Sequence, residues 1–463
     1  MSVIDLPQDL SVAEAVDRYE ASPAIACAEP NYKLTAAVNA PTPNDPSFSK
    51  MYDLYNRSQN GGSFDADIDA PEAWTATTGS DSTVVAVIDT GMDINHRDLK
   101  DNIWTNPGEV PGNCVDDDGN GYVDDVHGWD FRDTKEDDVG NCNFARQGED
   151  NRVFDGAQQD THATHVAGTI AAAGNNDVGV TGVNWQATIM PLKFIGPDNW
   201  GTVADAAEAV EYSVAEGVKI SNNSWGYWGL SSDDSRTLKG AIDSADRAGQ
   251  LFVAAAMNGG TDLVGDNIDD PNIPDIYPAS YDNSNIISVA ASNKQDDLTS
   301  FSNYGTKSVD LAAPGIDILS TMPGNNYGYG WGTSMATPHV TGAAALIKSQ
   351  DPQLSDNEIK RRILNSVDKI ASLQGKLVTG GRLNAAKALG ANTAPVIVGL
   401  SPGGKIRDRT PTITATVQDD ETELIETQIQ LYLGGKRNFS YDQVSDQLTY
   451  QSGRLSPVDT VSG

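Results

Sequence analysis

The sequence predicts an α/β protein whose mostly parallel central sheet is covered by helices on both faces. Three observations carry this. Short, continuous apolar runs recur at 84–88, 189–194, 218–222, 251–256, 286–290 and 309–312. Runs of that kind suit strands buried on both faces. Between and after them lie stretches of helical periodicity at 164–173, 203–216, 235–248, 338–349 and 356–366. Several polar motifs fall just after the apolar runs, at the carboxyl ends where parallel sheets hold their ligand sites.

The flanks read differently. Residues 11–22 predict a helix, with Ser11 and Glu14 as a capping box and Val12, Val16 and Tyr19 on one face. A strand-like segment follows at 24–34, then a linker punctuated by Pro41, Pro43 and Pro46. From about Asn392 the helical pattern stops and 410–417 alternates with a period of two. Segments 426–433 and 447–450 also read as strands, so the chain enters a small β module of immunoglobulin-like type. The expected domains are 1–44, 45–392 and 393–463.

Composition narrows the function. The chain has 463 residues and a formal charge of -34, from 65 acidic against 31 basic side chains. Such a surface repels phosphate backbones, which excludes a nucleic-acid partner. No apolar run reaches the roughly 18–20 residues that a membrane span needs. The N-terminus shows no basic segment followed by an apolar one, so no signal peptide is present in this chain. Of the three cysteines, Cys27 stands alone, whereas Cys114 and Cys142 flank an acidic insertion. A disulfide between those two and a pair of free thiols are both compatible with the spacing.

Three stretches supply the parts of an activated serine. Val84 to Gly91 is an apolar strand ending in the carboxylate of Asp89. Asp160-Thr161-His162-Ala163-Thr164-His165 opens a helix of small apolar residues, and Gly330-Trp331-Gly332-Thr333-Ser334-Met335-Ala336-Thr337-Pro338-His339 leads glycines into a serine before another. A serine hydroxyl needs a neutral histidine to take its proton and an acid to orient that histidine. A helix N-terminus adds unpaired N–H groups that favour developing negative charge. His165 and His339 read as structural histidines within their helices.

These motifs, in the order Asp, His, Ser, resemble the subtilisin family across roughly residues 45–390. So do 221–226, 252–258, 277–280 and 302–305 followed by 312–315. The resemblance implies a three-layer subtilisin-like α/β fold and a serine endopeptidase acting on proteins or peptides. It implies Ser334 as nucleophile, His162 as base and then acid, Asp89 as orienting carboxylate, and Asn258 with the Ser334 N–H as oxyanion donors. Ser224, Trp225 and Gly226 would pair with the substrate backbone and wall the pocket for its side chain, together with Ala255 and Gly332. Two residues depart from the family pattern: Ala163 and Met257 stand where glycine is usual. If either position needs φ > 0, its side chain is strained.

Calcium is the expected cofactor. Asp116, Asp118 and Asn120 occupy positions 1, 3 and 5 of an EF-hand-like loop, with Gly121 at 6 and the Tyr122 carbonyl at 7. Position 12 is His127, so Asp124 or Asp125 would have to close the loop, and a merely solvated acidic loop is the alternative. The resemblance implies a second site, with Asp98 and Asn176 as side-chain ligands and Val178 and Val180 giving carbonyls. The acidic loops at 133–138 and 262–270 read as solvated faces.

Ala28-Glu29-Pro30-Asn31-Tyr32 is similar to the end of the family's inhibitory prodomain, so residues 1–44 would be an α+β remnant of it that inhibits the enzyme intramolecularly. Self-cleavage would fall within 34–50, and the protein would be extracellular. Two other functions fit the same sequence: a weak or inactive homologue that binds peptides or acts as a surface scaffold, and an acyl hydrolase of small esters.

Overall fold

The computed structural model describes residues 40–132, 149–229, 236–260 and 262–390, together with strand segments between 396 and 451. The expected helix at 11–22, strand at 24–34 and acidic loop at 133–138 lie outside them. The chain divides into one compact unit, Ala40–Ala391, and a second formed by Met1–Asn39 and Asn392–Gly463.

The larger unit runs in chain order through α1 (Ala70–Ala73), β1 (Val84–Asp89), β2 (Trp129–Asp130), α2 (Thr161–Ala171), β3 (Thr188–Lys193) and α3 (Val203–Ala215). It continues through β4 (Ile220–Asn223), β5 (Tyr227–Trp228), α4 (Arg236–Arg247), β6 (Leu251–Ala255), β7 (Ile276–Tyr277), β8 (Ile286–Ser292) and β9 (Leu311–Pro314). It closes with β10 (Ile318–Met322), β11 (Asn326–Gly330), α5 (Thr333–Gln350), α6 (Asp356–Asn365), β12 (Asp368–Lys369), β13 (Gly381–Arg382) and α7 (Ala385–Leu389).

Nine strands form one sheet in the order β12-β13-β9-β8-β6-β4-β1-β3-β2. All neighbours pair in parallel except β12 with β13. Side chains alternate across it as strand geometry requires. Val85 and Val87 enter a core with α2 and α5, while Ala86 and Ile88 enter a second core with α3 and α4. The result is the expected mostly parallel, three-layer α/β fold.

The strand order places the site. From β1 the chain runs to β2 at the sheet edge, steps back to β3 and then crosses β1 to β4, so β1 and β4 flank the reversal where ligands bind in open α/β sheets. Asp89 ends β1, and Ser224 follows the last residue of β4.

Both helices that matter begin earlier than their apolar periodicity suggests. The one expected at 164–173 starts at Thr161, and the one expected at 338–349 starts at Thr333. Pro338 therefore lies inside α5. Proline has no N–H to give the carbonyl four residues back. Here that carbonyl belongs to Ser334, and it accepts the Ser224 hydroxyl instead, at 2.9 Å. The interruption costs no buried hydrogen bond and ties α5 to the segment after β4.

In the other unit, β14 (Val396–Ser401), β15 (Thr412–Gln418), β18 (Ser440–Asp442) and β19 (Gln447–Gln451) form an antiparallel sheet in the order β14-β15-β19-β18. β16 (Leu431–Tyr432) pairs with β17 (Lys436–Arg437). The strand content read at 410–417 and 447–450 is present.

Candidate active site

Asp89 is fully buried at the end of β1, and its Oδ1 lies 2.7 Å from Nδ1 of His162. The same oxygen accepts the Thr90 N–H at 2.6 Å. His162 occupies the first turn of α2, whose start is held to the β1 loop: the Ala163 N–H donates to Thr90 Oγ1 at 3.0 Å, and the Gly91 N–H to Asp160 Oδ1 at 2.9 Å. Burial opposes charge on the His162 imidazole, but the Asp89 carboxylate outweighs it and raises the pKa above the usual histidine value. Ala163 takes ordinary helical backbone, so the glycine usual there is not required by conformation.

A buried charge network supports this corner. Lys193, fully buried and in register with Asp89, pairs with Asp160 and, at 2.9 Å, with Asp155. Arg132 bridges Asp155 at 2.6 Å and Asp130 at 2.7 Å. Sequence reading missed both cations, because a lysine ending a strand carries no local signal of a buried partner.

Ser334 sits in the first turn of α5, and its hydroxyl donates to the Ser224 carbonyl at 3.0 Å. Asn258 faces it. Its Oδ1 accepts from Thr333 N and Oγ1 at 3.0 and 3.2 Å, so its Nδ2 is turned away from that contact. A Cβ on Gly332 would stand 3.3 Å from Asn258 Nδ2 and 3.7 Å from the Ser334 nitrogen. Two N–H donors thus border one small space, and Gly332, at φ 131°, leaves it open.

Met257 adopts φ 63°, a left-handed conformation that disfavours a side chain. Asn303 holds this turn: its backbone N–H donates to the Met257 carbonyl at 3.2 Å, and its Nδ2 to the Ala256 carbonyl at 3.0 Å and the Asn258 carbonyl at 3.4 Å. The strain foreseen for Met257 is present.

The expected substrate wall is only partly side chain. The Trp225 indole turns into the second core, donates to the Ile88 carbonyl at 2.8 Å and stacks edge-on with Phe194. Trp225 therefore offers backbone, not a ring, to the cleft, because packing the indole buries far more apolar area than exposing it would. Ala255 is fully buried at the end of β6. A cavity of about 400 Å³ is lined by Leu263, Phe301, Ile316, Tyr329, Gly330 and Trp331 among others.

His165 and His339 are held structurally. His165 Nε2 lies 3.0 Å from the Ile318 carbonyl, and burial pushes its pKa down to about 4. His339 bridges the Met335 carbonyl at 2.8 Å and Asp53 at 3.0 Å.

Two acidic clusters offer hard oxygen ligands. In the first, Asp118 and Asp125 converge with Glu109. Asn120 and Asn106 amides donate to both aspartates. Asp116 turns instead to its own loop, accepting from Gly119, Asn120 and Gly121 N–H groups. The Tyr122 ring packs on Trp129, Phe131 and Tyr212. Burial raises the carboxyls of Glu109 and Asp125, and Glu109 Oε2 is buried with no hydrogen-bond partner. In the second cluster, Asp98 accepts from Asn176 Nδ2 at 2.7 Å and Val180 N at 3.0 Å, and Asn176 Oδ1 accepts from Val178 N at 2.8 Å. Asp45 joins it: burial, with the Asp98 charge adding, raises its pKa to about 6, and its Oδ1 is unpartnered. All-oxygen sets with orphaned carboxylate oxygens fit a calcium ion. Glu109 and Asp45 escaped sequence reading, one lying ahead of the loop motif and the other within the proline-rich linker. Cys114 is disulfide-bonded, and Cys142 lies outside the described residues.

Comparisons with known proteins bear on the family and the fold. Residues 80–395 match the model of the Subtilase family. A thermophilic serine proteinase of Bacillus sp. (strain AK1) is 34% identical over 82% of this chain and 76% of its own. Thermitase of Thermoactinomyces vulgaris is 35% identical over 75% of this chain and 99% of its own. A solved protease from Pseudoalteromonas arctica superposes with a TM-score of 0.59 at 28% identity, over 76% of this chain and 99% of that one. The chain belongs to the subtilase family of serine endopeptidases.

Proposed function

We propose that the protein is a secreted, calcium-stabilised endopeptidase that works through Asp89, His162 and Ser334, with Asn258 and the Ser334 N–H as the oxyanion donors. The observation that carries this is the pairing of the 2.7 Å Asp89–His162 contact with two N–H donors around Gly332. Substrate lies extended along 224–226 with its scissile carbonyl beside Gly332. The Ser334 hydroxyl leaves the Ser224 carbonyl, gives its proton to His162 and attacks the carbonyl carbon. Negative charge on the carbonyl oxygen is met by Asn258 Nδ2 and Ser334 N, an arrangement worth about 2.7–4 kcal/mol for one such donor. His162 passes the proton to the leaving amine, the acyl group stays on Ser334, and water activated by His162 releases it.

Calcium would be held at one site by Glu109, Asp118 and Asp125 with the Asn120 side chain, and at another by Asp45, Asp98 and Asn176 with the Val178 and Val180 carbonyls. Its contribution there is to neutralise buried carboxylates and cross-link loops. The Cys114 disulfide supports an oxidising compartment, hence secretion. No helix among the described residues is long and apolar enough to cross a membrane. Residues 1–44 would act as the inhibitory prodomain remnant, 45–392 as the catalytic domain and 393–463 as an accessory β module.

A fluorophosphonate probe tests the assignment. The folded, calcium-loaded protein should be labelled, Ser334→Ala should not, and its kcat on peptides should fall by at least ~10⁴-fold. Absence of labelling on the wild type leaves a peptide-binding scaffold as the reading.

A further inference from the structure

The residues around Met257 restrict which peptide bond this site can accept. β4 and β6 are adjacent and parallel, with Asn222 opposite Val253 and Asn223 opposite Ala254. The chain therefore leaves both strands side by side, as 224–226 and 256–258. The first borders Ser334 through the Ser224 carbonyl, 3.0 Å from Oγ, and the second carries Asn258. A substrate carbonyl lying between Ser334 and Asn258 brings its own P1 side chain, which starts two bonds away at Cβ, into the gap between these two segments.

That gap already holds a side chain. A Cβ added to Gly226 would meet Met257 Cγ at 2.9 Å and Sδ at 3.2 Å, so the thioether lies directly against the Gly226 backbone. The Tyr277 carbonyl, 2.8 Å from the same point, closes the gap from another side. Met257 also packs on the cluster of Ala256, Ile268, Ile276 and Ala279. Its left-handed φ, held by three hydrogen bonds from Asn303, fixes the direction in which its Cβ leaves the chain. A methionine can rotate about three bonds, but rotation here would give up that packing.

We infer that Met257 fills the P1 slot from within and makes the enzyme selective for glycine, alanine or serine at P1, against leucine, phenylalanine and lysine. This rests on the proposed catalytic reading and specifies its substrate class.

The test is a series of matched peptides differing only at P1, cleaved by the wild type, Met257→Gly and Met257→Ala, with probe labelling of each. The wild type should cleave the small-P1 peptides with kcat/KM at least ~10-fold above the large-P1 ones, the scale of pocket discrimination by a few methylenes. Met257→Gly should raise the Phe-to-Ala ratio of kcat/KM by at least ~10-fold, and Met257→Ala by less. A labelled wild type that prefers phenylalanine or leucine overturns the inference and leaves the catalytic reading intact, and the wild-type series decides this even if a variant folds poorly. A ratio that stays within ~2-fold in both folded variants also overturns it. Loss of all Ser334-dependent labelling overturns the catalytic reading and this inference with it.

Discussion

Buried carboxylates lie behind the triad, and Glu109 and Asp125 are buried in the 106–125 loop beside an exposed Asp118, yet the two regions balance their charge in opposite ways. Behind His162, Asp155 and Asp160 meet Lys193, and Asp130 and Asp155 meet Arg132. In the loop, Glu109, Asp118 and Asp125 converge with only amide, hydroxyl and backbone donors, and among the described residues no lysine or arginine pairs with them. Burying a carboxylate is costly unless a cation answers it. The first region carries its cations in the chain and is complete once folded. The second pairs with no such cation among the described residues, and on the calcium reading proposed above an ion from solution takes that role, so its stability should depend on the medium.

Asp89 gives the largest test, because among the described residues His162 is the one ionisable side chain in hydrogen-bond contact with it. Asp89→Asn should keep the fold and lower kcat about 10⁴-fold, since the amide favours the wrong tautomer. Near-normal turnover would remove Asp89 from the triad. The pH profile of the wild type follows from the same pair. Its raised His162 pKa means that the Asp89–imidazolium contact stabilises the fold fully below the unfolded value of about 6.5 and loses this as pH rises through the folded one. Activity runs the other way, because the base must be neutral, so the acid limb of kcat/KM should lie above pH 6.5 and move to lower pH in Asp89→Asn, where burial alone acts on the imidazole.

Next in size is Lys193→Met. It leaves Asp160 with uncompensated buried charge and Asp155 with Arg132 alone, and should cost about 3–5 kcal/mol in denaturant unfolding, with no recovery at saturating calcium. Full recovery by calcium would erase the distinction between the two regions. The smallest effect is expected on chelation: removing calcium supplied at about 100 times Kd should cost roughly 2.7 kcal/mol. Glu109→Gln should shrink that calcium-dependent increment, whereas Lys193→Met should leave it in place. A melting curve indifferent to chelator would mean that the acidic loop is self-sufficient.

Much of this was written in the sequence. Apolar runs of strand length between amphipathic helices dictate a parallel sheet covered on both faces, since no other arrangement buries both kinds of surface. Asp89, His162 and Ser334 could be proposed from local motifs at the end of a strand or the start of a helix, and Asn258 from the resemblance of 252–258 to the subtilisin family. The helix starts were less legible: Pro338 reads as a first-turn residue, and only the Ser224 hydroxyl on the Ser334 carbonyl explains its interior position.

What the tertiary structure decided lies between residues far apart in the chain. It turned the Trp225 indole into the core, set Lys193 against Asp160, and brought Glu109 to Asp118 and Asp125 and Asp45 to Asp98. It also placed the Met257 side chain in the gap beside Gly226. Periodicity and motif spacing report on neighbours along the chain, whereas burial, charge pairing and the filling of a pocket depend on which segments the folded sheet brings together.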